Sequence, residues 1–175
     1  MTEALETDRT VLRPFSMEDA GEAFEWFSDP EVMRFIPGGP DIDLAQTQQR
    51  IDRYVEQQKG HGFSKWLVCE KATGQAVGDS GLFFLPDGKR VELGFRFRRS
   101  HWGRGYAVEV GRAWIAWFAK HHPSWPLFAD VHPEHLRSQR VLEKLGFVLS
   151  HRESVWGTEM IICEHRSIMS PILPS

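Results

Sequence analysis

Four arginines, Arg96, Arg98, Arg99 and Arg104, fall within nine residues with no acid among them, although the chain as a whole is acidic. The last of them sits inside the run Trp102-Gly103-Arg104-Gly105-Tyr106-Ala107, which leads from a strand-like segment into a strongly apolar one. Two glycines free the backbone N–H groups there to turn outward at the start of a helix. Free N–H groups, the helix dipole and nearby guanidinium groups together make an anion site suited to a phosphate or pyrophosphate. A Gly-containing strand-to-helix turn under a solvated basic face accounts for the same residues equally well. Two familiar phosphate loops are excluded. No Gly-Lys-Ser/Thr follows the glycines, and Val108 stands where a dinucleotide fingerprint starting at Gly103 needs its third glycine.

A second set of residues could move a proton. Glu92 shares its segment with Phe95, Arg96 and Phe97, and strand alternation puts it on one face with Gly94 and Arg96, opposite Leu93 and Phe95. It is a candidate general base, or one half of a structural ion pair with Arg96. His135 and Ser138 lie three apart on the helical face of Leu142 and Leu145, so both should point inward. For His135 the alternative is a core histidine bonded to backbone. The pairs His121-His122 and His132/His135 lack a third and fourth ligand at usable spacing, and no metal is expected. Of the seven tryptophans, Trp114 and Trp117 fall on an apolar helix and read as core.

The elements that must hold these residues follow from periodicity. Ser16 and Asp19 have capping-box spacing ahead of Ala20, Ala23, Phe24 and Phe27, which predicts a helix over 17–28. Asp29 and Pro30 open a short helical turn through Phe35, and a helix over 44–59 carries Leu44, Ile51, Tyr54 and Val55 and ends at Gly60. Segments 63–70, 75–84 and 91–97 are short, aromatic and β-branched, separated by Thr73-Gly74 and Pro86-Asp87-Gly88, and read as a three-stranded meander. The segment 106–120 predicts a deeply packed helix, 127–131 a strand, and 135–145 a helix closed by Gly146 in the left-handed C′ position. Strands over 147–156 and 159–166 precede a Pro-containing tail expected to fray over 167–175. The order ααβββαβαββ implies an α/β fold with a mixed sheet and helices on both faces.

Composition sets the class. The 175 residues are 41% hydrophobic and 26% charged, with a formal charge of −3, which describes one soluble domain and argues against nucleic-acid or anionic-membrane binding. Residues 1–6 show no signal peptide and no apolar run nears the roughly 18 residues of a spanning helix, so a cytoplasmic protein is expected. Cys69 and Cys163, far apart in strand-like sequence, read as reduced core residues.

At this point the residues resemble the GNAT acetyltransferase superfamily, and within it the ribosomal-protein N-acetyltransferase-like branch. The superfamily's pyrophosphate loop is usually Q/R-x-x-G-x-G/A. Gly105 and Ala107 match its last two positions, Trp102 stands where Gln or Arg is commoner, and Trp-Gly-x-Gly-Tyr-Ala is similar to the branch's own version. Its second motif, Pro-x-Asn-x-x-Ser before a helix ending in Leu-Gly-Phe, resembles Pro133 to Ser138 and Leu145-Gly146-Phe147, with His135 in place of Asn. The likeness spans nearly the whole chain, from Thr10-Val11-Leu12-Arg13-Pro14-Phe15 onward.

The resemblance implies a mostly antiparallel sheet with two splayed parallel strands, and acetyl transfer from acetyl-CoA to a primary amine. It implies that the pantetheine arm pairs along Phe95, Arg96 and Phe97, and that Arg99, Trp102, Gly103, Arg104, Gly105, Tyr106, Ala107, His135 and Ser138 contribute to cofactor binding. Glu92 would accept the amine's proton and Ser138 would assist the leaving thiolate, since 139–147 offers no tyrosine acid. Trp26, Phe35 and Trp156 would frame the acceptor. That acceptor could be a protein N-terminus, a polyamine, an amino acid or an amino-sugar antibiotic, and the protein a monomer or homodimer. A non-catalytic acyl-CoA-binding module would keep the 102–107 loop but tolerate loss of Glu92 and Ser138.

Overall fold

The computed structural model describes residues 4–166, and the tail expected to fray at 167–175 lies outside the described residues. Its strands are β1 (Leu5–Glu6), β2 (Thr10–Pro14), β3 (Lys65–Glu70), β4 (Ala76–Phe84), β5 (Val91–Phe97), β6 (Leu127–Val131), β7 (Phe147–Val155) and β8 (Thr158–His165). They form one sheet in the order β1-β2-β3-β4-β5-β6-β8-β7. Every neighbouring pair is antiparallel except β5 and β6. The meander and the mixed sheet are as expected. The strands β1 and β2 at one end of the sheet were not, because Thr10–Pro14 is short, carries Arg13 and ends in proline; Leu12 nevertheless turns fully inward while Arg13 faces out.

The helices are α1 (Ala20–Phe27), α2 (Pro30–Met33), α3 (Leu44–His61), α4 (Tyr106–His121) and α5 (Leu136–Lys144). A short 3-10 turn over Met17–Asp19 precedes α1, and the Asp19 carboxylate accepts from the Ser16 N–H at 2.7 Å, the cap anticipated from the spacing. α3 runs past Gly60. The residue that ends it is Gly62, at φ 77, because the left-handed step and not the glycine itself terminates a helix.

Two apolar layers sandwich the sheet. On one face α4 and α5 bring Val110, Trp114, Phe118 and Leu142 onto Val91, Leu93, Leu127 and Ala129. On the other, α1 to α3 bring Trp26, Phe27, Met33 and Ile51 onto Leu67 and Ala76. Trp114 is fully buried, and truncating such a side chain to alanine costs about 3–5 kcal/mol. Trp117 packs against this core from the side, only partly buried. Cys163 is buried, Cys69 is half-buried, and neither forms a disulfide. No helix among the described residues is long and apolar enough to cross a membrane.

One feature of the topology prepares the site. β5 and β6 are parallel neighbours joined through α4, yet they pair only at Val91–Leu127 and Glu92–Phe128. Beyond Glu92 the strands part. From Leu93 to Phe97, β5 keeps β4 on one side and has no strand on the other.

Candidate active site

A cavity of about 600 Å³ opens over this fork. Its floor carries Glu92, Gly94 and Arg96 of β5 and Asp130 of β6, its walls come from α3 and the start of α5, and Trp156 stands at the tip of the β7–β8 hairpin. A strand edge with free backbone groups along such a cleft can take an extended, amide-containing ligand as an added strand.

Glu92 sits at the fork, but its neighbours are not the ones expected. Arg96 does not pair with it: the guanidinium bonds Asp79, a fully buried carboxylate, at 2.5 Å and the Tyr54 hydroxyl at 2.7 Å. Burial opposes the charge on Arg96, but Asp79 and Tyr54 outweigh it and hold the guanidinium protonated. Arg96 is therefore a strut under the cavity, leaving its backbone for a ligand. Glu92 instead has the Lys65 ammonium at 3.6 Å and Asp130 against it. Burial pushes the Asp130 carboxyl well above the usual range, the Glu92 charge pushes it further, and Lys65 opposes both. The balance favours the protonated form of Asp130.

Lys65 and Asp130 were missed by sequence reasoning. They lie 27 residues before and 38 after Glu92, so no spacing links them; the signal available was a charge out of keeping with an apolar strand, Lys65 opening Trp66-Leu67-Val68-Cys69 and Asp130 interrupting Leu127–Val131.

His135 and Ser138 both line the cavity, as their helical spacing anticipated. The His135 ring does not bond backbone. It stacks on Phe35 at 4.6 Å, and burial, helped by Arg137 and His132, keeps the imidazole neutral. Phe35 and Trp156 line the cavity too, Trp156 with 84% of its surface exposed. Trp26 does not. It faces the sheet, fully buried, and its indole N–H donates to Asp79 at 3.0 Å. The resemblance that placed it at the acceptor sets the first helices beside that site, but this side chain belongs to the core face of α1.

The glycine loop lies beyond the far end of β5 and outside the cavity lining. Gly103 and Gly105 adopt φ 72 and φ 81, and with these left-handed steps the N–H groups of residues 103–108 have no partner among the described residues. No protein atom crowds either glycine within 3.5 Å. This is the geometry of an anion cradle at a helix N-terminus.

The side chains around it are more committed than their run of positive charge implied. Arg98 pairs with Glu22 and Glu25, and Arg99 with Asp29 at 2.7 Å. Arg104 alone of the four has no ion pair among the described residues. Trp102 donates to the Phe97 carbonyl at 2.7 Å, and Phe97 stacks on Tyr106, whose hydroxyl bonds Glu70. The side chains of Trp102, Phe97 and Tyr106 thus build the loop, while Ala107 is half-buried behind it. From the first strands, Arg9 donates to the Arg104 carbonyl at 2.9 Å and is gripped by Glu109 at 2.7 Å. Among the described residues no group of three or more His, Cys, Asp or Glu side chains could hold a metal ion.

Comparison with known proteins adds the rest. Residues 9–148 match the family model described as an acetyltransferase (GNAT) domain. The uncharacterized protein YkkB of Bacillus subtilis (strain 168) is 32% identical over 93% of this chain and 95% of its own. The uncharacterized N-acetyltransferase p20 of Bacillus licheniformis is 28% identical over 83% of this chain and 82% of its own. A solved structure of AAC(6')-Ib in complex with ribostamycin and coenzyme A superposes with a TM-score of 0.73, covering 92% of this chain and 96% of that one, at 18% identity. With a splayed β5–β6 fork, an anion cradle at the start of α4 and a family match over most of its length, the chain belongs to the GNAT acetyltransferases and is an acetyltransferase enzyme.

Proposed function

We propose that this enzyme transfers an acetyl group from acetyl-CoA to a primary amine by direct attack, with the carboxyl pair Glu92–Asp130 taking the amine's proton. The observation that carries this reading is that pair, half-buried beside the buried Lys65 at the point where β5 loses its neighbour. An aliphatic ammonium with a pKa near ~10.4 is free base to only about one part in a few thousand at pH 7, so attack on a thioester needs a proton acceptor at hand. Asp130 holds its own proton and Glu92, beside the ammonium of Lys65, receives the next one. As the C–N bond forms and the C–S bond breaks, the nitrogen's proton passes to Glu92 and the departing sulfur accepts a hydrogen bond from the Ser138 hydroxyl. A thiol pKa near ~8.5 makes that modest help sufficient.

The cofactor's parts fit the chain in order. The unpaired edge of β5 at Phe95, Arg96 and Phe97 receives the amides of the pantetheine arm, and the N–H groups of residues 103–108 receive the pyrophosphate. Arg104 is the free cation nearby, and His135 and Phe35 wall the acyl end. A module that only bound acyl-CoA would have no use for two carboxyl groups held against each other at the fork, an arrangement that costs stability. Release of free thiol from acetyl-CoA, followed across a panel of amines, tests the reading. Amine-dependent release supports it, and CoA binding without any amine-dependent release overturns it in favour of the binding module.

A further inference from the structure

The charges lining the cavity decide among acceptors, because nearly all of them are already matched. Asp41 is buried, accepts from the Thr47 hydroxyl at 2.7 Å and pairs with Arg50 at 2.6 Å. Arg96 is spent on Asp79. Glu92 faces the Lys65 ammonium at 3.6 Å, and Asp130 lies against it with its carboxyl pushed toward the neutral form by burial. Burial, with Arg137 and His132 nearby, holds the His135 imidazole below its usual range, and the His132 ring accepts from the Glu134 N–H at 3.1 Å. Arg53 remains. It stands one turn beyond Arg50 on α3, lines the cavity and has no ion pair or hydrogen bond among the described residues. The cavity therefore offers an incoming molecule one free cation and no free carboxylate.

A polycation, whether polyamine or amino sugar, needs the reverse: several acids left over to replace the water around each ammonium. The uncharged lining includes the polar side chains of Gln46, Gln49, Tyr54 and Ser138, and its aromatic wall comes from Phe35, Phe83 and Trp156. Trp156 occupies it in a way that is uncommon for an aromatic residue. It takes a left-handed φ of 52 beside Gly157 at φ 79, which turns the hairpin tightly enough to present an exposed indole at the cavity mouth.

We propose that the acceptor is an amine that also carries a carboxylate on an apolar body, a hydrophobic amino acid, with Arg53 receiving the carboxylate and the aromatic wall its side chain. This rests on the acetyl-transfer reading above. The amine then enters toward Glu92 while the carboxylate stays near the open, α3 side of the cavity, so attraction at Arg53 also keeps the acid group away from the carboxyl pair.

The test compares thiol release at pH 8 with phenylalanine and leucine, each against its own amide, and with spermidine and an aminoglycoside. The amides keep the body and have the more easily deprotonated amine, so a preference for the acids has to come from recognition of the carboxylate. The acids should be favoured at least ~tenfold in kcat/KM, the effect of one charge-assisted contact. Arg53→Ala should bring the acid-to-amide ratio close to one, and Arg53→Lys should restore part of it. Faster turnover of spermidine or the aminoglycoside, or equal losses for acid and amide in Arg53→Ala, overturns this inference while leaving acetyl transfer standing. No turnover with any amine overturns both.

Discussion

Lys65 reaches Glu92 across the face of Gly94, lying where a Cβ on residue 94 would have to be. The contact is with the far end of a flexible side chain, so Gly94→Ala should displace the ammonium without disturbing the sheet. Lys65 stands 3.6 Å from the Glu92 carboxylate, and moving it away removes an attraction that favours the charged form of the proton acceptor. The acid limb of the kcat/KM profile should shift to higher pH and the rate at pH 7 fall several-fold, with the melting temperature nearly unchanged. An unshifted profile would mean that the ammonium plays no part in the proton's placement.

How much of this was legible beforehand depends on how far apart the partners lie in the chain. Helices α3 to α5 and the β3–β5 meander show in the period of their own apolar residues, and the turn at residues 102–107 in its own glycines. The basic cluster was misread because Arg98 and Arg99 find their acids on or beside α1, some 70 residues away. Trp26 was misassigned for a different reason: the resemblance sets the first helices beside the acceptor but does not say which way a given side chain on them turns, and this one turns into the core against Asp79. The cluster of Lys65, Glu92 and Asp130 exists only because three strands bring it together, and no local pattern marks it.

Gly105→Val should separate the cradle from the fold. A β-branched residue at φ 81 is strained and projects toward the space where the phosphate oxygens would sit, while no protein atom there blocks it. CoA affinity should drop at least ~tenfold, about 1.4 kcal/mol, by calorimetry. Wild-type affinity would remove the loop from the binding site.

Arg99 and Arg104 should part company. With Asp29 already on Arg99, Arg99→Ala should change CoA affinity little, whereas Arg104→Ala should weaken it several-fold and flatten its salt dependence. Titrations at two salt concentrations, with CoA and dephospho-CoA, show whether Arg104 serves the 3′-phosphate or the pyrophosphate. Equal behaviour of the two variants would contradict the ion-pairing seen here.

Glu92→Gln should keep shape and CoA affinity yet lower kcat/KM at pH 7 by roughly 10²-fold, the loss shrinking as pH rises and the amine deprotonates unaided. Ser138→Ala should cost only about tenfold, because a hydroxyl supports the leaving sulfur by a hydrogen bond and is itself a poor acid. A Ser138 defect exceeding the Glu92 defect at every pH would reverse the order of importance.

Asp130→Asn gives the sign test of the Asp130 proton. Burial and Glu92 raise the Asp130 carboxyl in the folded chain, so its contribution to stability is full below the ordinary carboxylate value near ~3.9 and is lost as pH climbs to the raised folded value. Between those limits the unfolded chain has released a proton that the folded chain still holds, and stability falls by up to ~1.4 kcal/mol per pH unit. The asparagine has no such proton to lose. Unfolding free energies should therefore diverge in the variant's favour from pH 4.5 to 8. Over the same range the variant's activity should fall, because Glu92 loses the carboxyl that lies against it. Parallel stability curves for the two proteins would show that Asp130 ionises normally and that Glu92 works alone.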